Sequence, residues 1–205
     1  MHTILFLGDS YTFGEGVPLH QGYPYQTVQL LRAAGQDIAA PEIIARTGWT
    51  TDELAHTLSF VRLLPHYDFV TLLIGVNDQY RGYPTGEYAP SFGRLLQRAI
   101  QLAGTPSKTF VLSIPDWGYS PFAATRDKTL ISGEIDAFND LAKDIAQRQK
   151  VHVIDITAHS RTTGAGPESF TADGLHPAAS TYHFWAQQLA GAISATLPSR
   201  ELPID

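Results

Sequence analysis

Short apolar runs alternate with segments of helical period along this chain, and most of the runs are stopped by glycine or proline. Thr3 to Leu7 ends at Gly8, Phe69 to Ile74 at Gly75, and Thr109 to Ile114 at Pro115; Glu42 to Ala45 and Val151 to Ile156 complete the set. Runs this short, rich in Val, Ile and Leu, read as buried strands. Between and after them, apolar residues recur at helical spacing in Tyr25 to Ala34, Asp52 to Leu64, Ser91 to Ala103 and Glu134 to Gln149. Pro177 opens a last helix that runs to about Thr196 and stops before Pro198. Strands alternating with helices imply an α/β fold: a three-layer α/β/α sandwich around a five-stranded parallel sheet covered on both faces. The right-handed crossover rule leaves few windings, and 2-1-3-4-5 is one of two common orders.

Bulk properties remove several function classes. The 205 residues suit one domain, spanning 1–205. There is no cysteine, so disulfides, thiolate metal sites and a cysteine nucleophile are excluded. The net charge is -6 and the basic residues form no run, which argues against nucleic acid. The first residues have no basic start, and their apolar run is too short for a signal peptide or a membrane span. The chain therefore reads as cytoplasmic, although a trimmed secretion signal would leave the same sequence.

In sheets of this kind ligands sit beyond the carboxyl ends of the strands. Those positions hold Gly8-Asp9-Ser10, Arg46-Thr47-Gly48-Trp49, Gly75-Val76-Asn77-Asp78 and Asp116-Trp117-Gly118, and a long connection leads to Asp173-Gly174-Leu175-His176-Pro177. Acyl transfer needs a nucleophile, a base, a group that orients the base, and donors for an oxyanion. With order 2-1-3-4-5, Ser10 lies between Gly48 and Asn77. The N–H groups of Ser10 and Gly48 and the Asn77 side-chain amide then converge as three donors. Asp173 and His176 are three residues apart, so one turn can set the carboxylate against the imidazole, and the stretch from Thr157 to Thr171 is long enough to carry them back to Ser10.

These blocks, in this order, resemble the four motif blocks of the SGNH or GDSL-type hydrolases. The resemblance spans almost the whole chain. It implies a flavodoxin-like sheet, Ser10 as nucleophile, His176 as base, Asp173 as its partner, and an oxyanion hole of Ser10, Gly48 and Asn77. Tyr11 stands where the family's name has leucine. A Gly-x-Ser-x-Gly elbow is absent, which argues against the α/β-hydrolase fold.

Plainer roles compete for each residue. Ser10 can cap the segment after it. Asp78 is expected to be structural, Asp9 a loop-ordering carboxylate, and Asp155 an anchor for the loop that follows it. Arg46 either contacts substrate or, as the favoured reading, pairs with a nearby acid. His176 and His183 lie two helical turns apart, but no carboxylate spacing supports a metal. His159 is unassigned. Aromatic residues are dense in the edge loops: Tyr11, Phe13, Trp49, Tyr80, Tyr83, Trp117, Tyr119 and Phe122. Tyr11, Arg46, Trp49, Trp117 and Tyr119 are candidate substrate contacts. Asp116 to Ser132 is long for a structureless connection. The expected activity is hydrolysis of small, short-chain carboxylic esters, with carbohydrate O-deacetylation within that range. The alternatives are a thioesterase or lysophospholipase-like acyl hydrolase, and a carbohydrate-binding module that has lost the chemistry. No metal or other cofactor is required, the only partner implied is a small ester substrate, and the oligomeric state is left open.

Overall fold

The computed structural model describes residues 1–163 and 166–197. Five strands, β1 (Ile4–Gly8), β2 (Glu42–Ala45), β3 (Phe69–Leu73), β4 (Thr109–Leu112) and β5 (His152–Ile154), form one parallel sheet in the order β2-β1-β3-β4-β5. The helices are α1 (Ser10–Phe13), α2 (Tyr23–Ala33), α3 (Thr51–Leu58), α4 (Val76–Tyr80), α5 (Thr85–Ala103), α6 (Lys128–Arg148), α7 (Thr157–Thr163) and α8 (Ala179–Thr196). Every residue of β1 and β3 is buried. That is why these strands carry continuous apolar runs rather than an alternating pattern: both faces are covered by helices. Gly8 of β1 pairs with Ala45 of β2 on one side and Leu73 of β3 on the other. The register therefore brings the loops after β1, β2 and β3 to one point on the sheet edge.

Several element limits differ from the sequence reading. The helix expected to reach Leu64 ends at Leu58, because the Ser59 N–H and hydroxyl both bond the His56 carbonyl and tighten the last turn. Helix α5 begins at Thr85 rather than Ser91 and contains Pro90. That ring removes one ladder bond, toward Gly86, and the helix tolerates it near its start. Helix α6 begins at Lys128 rather than Glu134, since the Asp127 carboxylate caps it by accepting from the Leu130 N–H. The stretch from Asp116 to Ser132 is accordingly not structureless: it holds short 3-10 turns at Trp117–Tyr119 and Pro121–Ala123 before α6 starts. The connection after β5 contains α7, capped by Asp155, whose carboxylate accepts from the N–H groups of Thr157 and Ala158. Pro177 does not open the last helix. It pairs with Phe170 in an isolated antiparallel bridge, and α8 begins at Ala179. Pro198, expected to end that helix, lies outside the described residues.

No helix among the described residues is long and apolar enough to cross a membrane.

Candidate active site

The chain turns sharply at the end of β1. A side chain at Gly8 would meet Thr12 Oγ1 at 2.2 Å and the Leu73 carbonyl at 2.5 Å, so only glycine lets α1 fold back this closely. Ser10 does not cap that helix; Asp9 does. The Asp9 Oδ1 accepts from the Tyr11 N–H at 3.0 Å, and Ser10 sits in the first turn with its hydroxyl free of hydrogen bonds among the described residues. Asp9 is fully buried, and desolvation pushes its carboxyl up to about 8 despite the bond from Tyr11. Its Oδ2 has no hydrogen-bond partner among the described residues. The protonated form is therefore the one this site favours near neutrality.

The loops after β2 and β3 are tied together at the same edge. Gly48 has φ +85°, a left-handed conformation suited to glycine, and its carbonyl accepts from Arg81, which also pairs with Glu53 at 3.3 Å. The Asn77 Nδ2 donates to the Trp49 carbonyl at 2.9 Å, which fixes the amide and uses one of its two hydrogens. The N–H groups of Ser10 and Gly48 meet no acceptor among the described residues. Asp78 is structural, as expected: it accepts from the Thr51 N–H and hydroxyl, and so locks α3 to α4.

The bridge between Phe170 and Pro177 holds the turn that carries the remaining groups. His176 Nδ1 lies 2.6 Å from Asp173 Oδ2. Asp173 Oδ1 also accepts from Thr171 Oγ1 and from the N–H groups of Leu175 and His176. Burial opposes ionisation of Asp173, yet the bond from His176 and these further donors hold its carboxyl well below the usual carboxylate range. An ionised carboxylate only accepts, so Nδ1 carries the proton and Nε2 is left as the acceptor. Tyr11 packs edge-on against the His176 ring at 5.9 Å and against Trp185 at 5.9 Å behind it.

A cleft of about 190 Å³ brings Ser10, Tyr11, Gly48, Asn77 and His176 together. Its apolar wall is Tyr80, Trp117, Phe122, Val76 and Leu175. Of the candidate substrate contacts, Tyr11 and Trp117 line it, whereas Arg46, Trp49 and Tyr119 do not. Arg46 is exposed and makes no ion pair among the described residues, so the expected pairing with an acid is not seen either. The Trp49 side chain packs on the hydrophobic core, and only its carbonyl serves the site. Tyr119 faces Lys128, whose Nζ lies 3.3 Å from its ring. Val76 and Leu175 were not singled out in the sequence, although each sits inside a motif, at Gly75-x-Asn77 and Asp173-x-x-His176. A larger cavity of about 550 Å³ lies between α6 and β5 and contains none of the motif residues. Among the described residues no group of three His, Asp or Glu is placed to hold a metal ion.

The fold has counterparts in known proteins. The GDSL-like Lipase/Acylhydrolase family matches residues 6–184. No curated protein matches the chain. Among solved structures, the chain is similar to a lipase/acylhydrolase from Enterococcus faecalis, with 22% identity and TM-score 0.75, covering 98% of this chain and 100% of that one. It is similar to Axe2, an acetylxylan esterase from Geobacillus stearothermophilus, with 20% identity and TM-score 0.74, covering 94% of each chain. It is also similar to the psychrotrophic esterase EstA from Pseudoalteromonas sp., with 18% identity and TM-score 0.69, covering 95% of this chain and 98% of that one. With the family match running from β1 into α8, the chain belongs to the GDSL-like lipase/acylhydrolase family, whose members hydrolyse ester bonds.

Proposed function

We propose that the protein hydrolyses small carboxylic esters with short acyl groups, using Ser10 as nucleophile, His176 as general base and Asp173 as the group that orients it. The observation that carries this reading is the hydrogen bond of 2.6 Å between His176 Nδ1 and Asp173 Oδ2 at the edge of the cleft that Ser10 lines. Ser10 Oγ attacks the ester carbonyl as His176 Nε2 takes its proton. The N–H groups of Ser10 and Gly48 and the free hydrogen of Asn77 Nδ2 hold the oxyanion. His176 then returns the proton to the departing alcohol, leaving the acyl group on Ser10 Oγ. Water attacks that acyl group and gives its proton to the same Nε2, which passes it to the departing Ser10 Oγ, releasing the acid and free Ser10.

Size supports the short-acyl reading. Pockets for drug-sized ligands run to roughly 300–1,000 Å³, and this cleft, at about 190 Å³, is smaller. Its wall of Tyr80, Trp117 and Phe122 also fits the face of a sugar ring, so O-deacetylation of a carbohydrate is a second reading. The test is a hydrolysis panel of 4-nitrophenyl esters of increasing acyl length beside acetylated sugars. Highest kcat/KM on acetate or butyrate supports the proposal, and a preference for long acyl chains or for thioesters overturns it. Sugar acetates outpacing the aryl acetate would favour the second reading.

A further inference from the structure

Arg126 lies outside every motif, yet its guanidinium faces three rings of the cleft wall at once. Its central carbon is 5.4 Å from the Tyr80 ring centroid, 5.4 Å from that of Trp117 and 5.2 Å from that of Phe122. One guanidinium nitrogen also donates to the Tyr80 hydroxyl at 3.2 Å. Arg126 makes no ion pair among the described residues. The three rings belong to separate elements: Tyr80 ends α4, Trp117 starts one 3-10 turn and Phe122 sits in the next.

Two of these rings, Tyr80 and Phe122, need holding. Tyr80 is 48% exposed and Phe122 40% exposed, so burial alone does not fix them. Trp117 is buried in the core, and its indole N–H donates to Gln79 Oε1, while Gln79 in turn donates to Glu134, so it is the fixed ring against which the other two can be held. The backbone of Arg126 is itself set, since its N–H bonds the Ala123 carbonyl and the next residue, Asp127, caps α6. A guanidinium presented from a fixed backbone can lie flat on a ring face while one of its N–H groups donates to a neighbouring hydroxyl, a combination that a compact ammonium does not reproduce.

We infer that Arg126 is a positioning residue that clasps Tyr80, Trp117 and Phe122 into one wall and thereby sets how the cleft accepts the larger part of its ester substrate. The inference rests on the cleft being the substrate site. Arg126 acts through the rings and touches no reacting atom. Its loss therefore weakens binding of esters long enough to reach the wall and leaves the chemical step nearly untouched.

The test compares Arg126→Gln and Arg126→Lys with the parent, each labelled with 5-fluorotryptophan. The chain has three tryptophans, and the Trp117 fluorine resonance is assigned by its loss in Trp117→Phe. In Arg126→Gln the Trp117 resonance is expected to shift or broaden while those of Trp49 and Trp185 stay in place. KM for 4-nitrophenyl butyrate should rise about five-fold, the size of an exposed cation–π contact. The kcat for 4-nitrophenyl acetate should stay within about two-fold. Arg126→Lys should fall between the parent and Arg126→Gln on both readouts. An unmoved Trp117 resonance, or an equal loss on both esters, overturns the inference. So does a loss confined to carboxylate-bearing esters with Trp117 unmoved, which would make Arg126 a direct substrate contact. Turnover that persists in Ser10→Ala would instead defeat the proposed site, and the fluorine spectra would still report the clasp.

Discussion

His176 Nδ1 and Asp173 Oδ2 stand 2.6 Å apart on a turn that also delivers three further donors to the same carboxylate. The carboxylate is held ionised, and it fixes the imidazole with Nε2 available as a base. Asp173→Asn keeps the shape but can present an N–H to Nδ1, forcing the wrong tautomer. We expect kcat to fall by up to about 10⁴-fold, as in other hydroxyl-nucleophile triads, with KM little changed. Steady-state kinetics on a short aryl ester measures it, and turnover within a few-fold of the parent would remove Asp173 from the mechanism.

Asn77 has one amide hydrogen bound to Trp49, and the proposed mechanism gives the other to the oxyanion. Removing such a donor typically costs about 2.7–4 kcal/mol of barrier. Asn77→Ala should therefore lower kcat by about 10²–10³-fold with little change in KM. A rise in KM alone would mean that Asn77 only shapes the loop.

Tyr11 supports His176 through its ring, which packs edge-on to the imidazole. Tyr11→Phe keeps the ring and should keep kcat within about two-fold, while Tyr11→Ala should lose both kcat and roughly 3–5 kcal/mol of stability. Thermal melting separates the two effects: an unstable but fully active Tyr11→Ala would contradict a supporting role for His176.

Asp9 has a distinct pH signature. Its carboxyl is raised to about 8 in the fold from its ordinary value of 3.8. Between those values the folded state keeps a proton that the unfolded state has lost, so the contribution of Asp9 makes stability fall as pH rises from about 4 to about 8. Asp9→Asn keeps an oxygen acceptor for the Tyr11 N–H and replaces the unpartnered Oδ2 with an uncharged group. Denaturant melts across that range should show a flatter pH dependence in the variant. An unchanged slope would mean that Asp9 ionises normally.

The sheet order was legible because Ile, Val and Leu runs stop at Gly8, Gly75 and Pro115, and because few right-handed windings exist for such a chain. The placement of Gly48 and Asn77 beside Ser10 followed from that order, whereas His176 needed the long connection after the fifth strand to reach them. The limits of α5 and α6 were not legible. Pro90 breaks the periodicity that marks α5, and the start of α6 depends on Asp127 capping a turn with little apolar pattern. Ser10 and Asp9 are both good caps by residue type, and only the Asp9–Tyr11 bond decides between them. Among the aromatics, sequence could not separate Trp117, which faces the cleft, from Tyr119 two residues on, because a 3-10 turn points them apart. The part of Arg126 was equally hidden, since it depends on three rings drawn from separate elements.

The most direct measurement is covalent labelling of the intact protein with a fluorophosphonate, followed by peptide mass mapping. The account predicts one adduct, on Ser10, absent in Ser10→Ala and strongly slowed in His176→Ala. An unlabelled protein, or an adduct on any other residue, would contradict the assignment of Ser10 as the nucleophile.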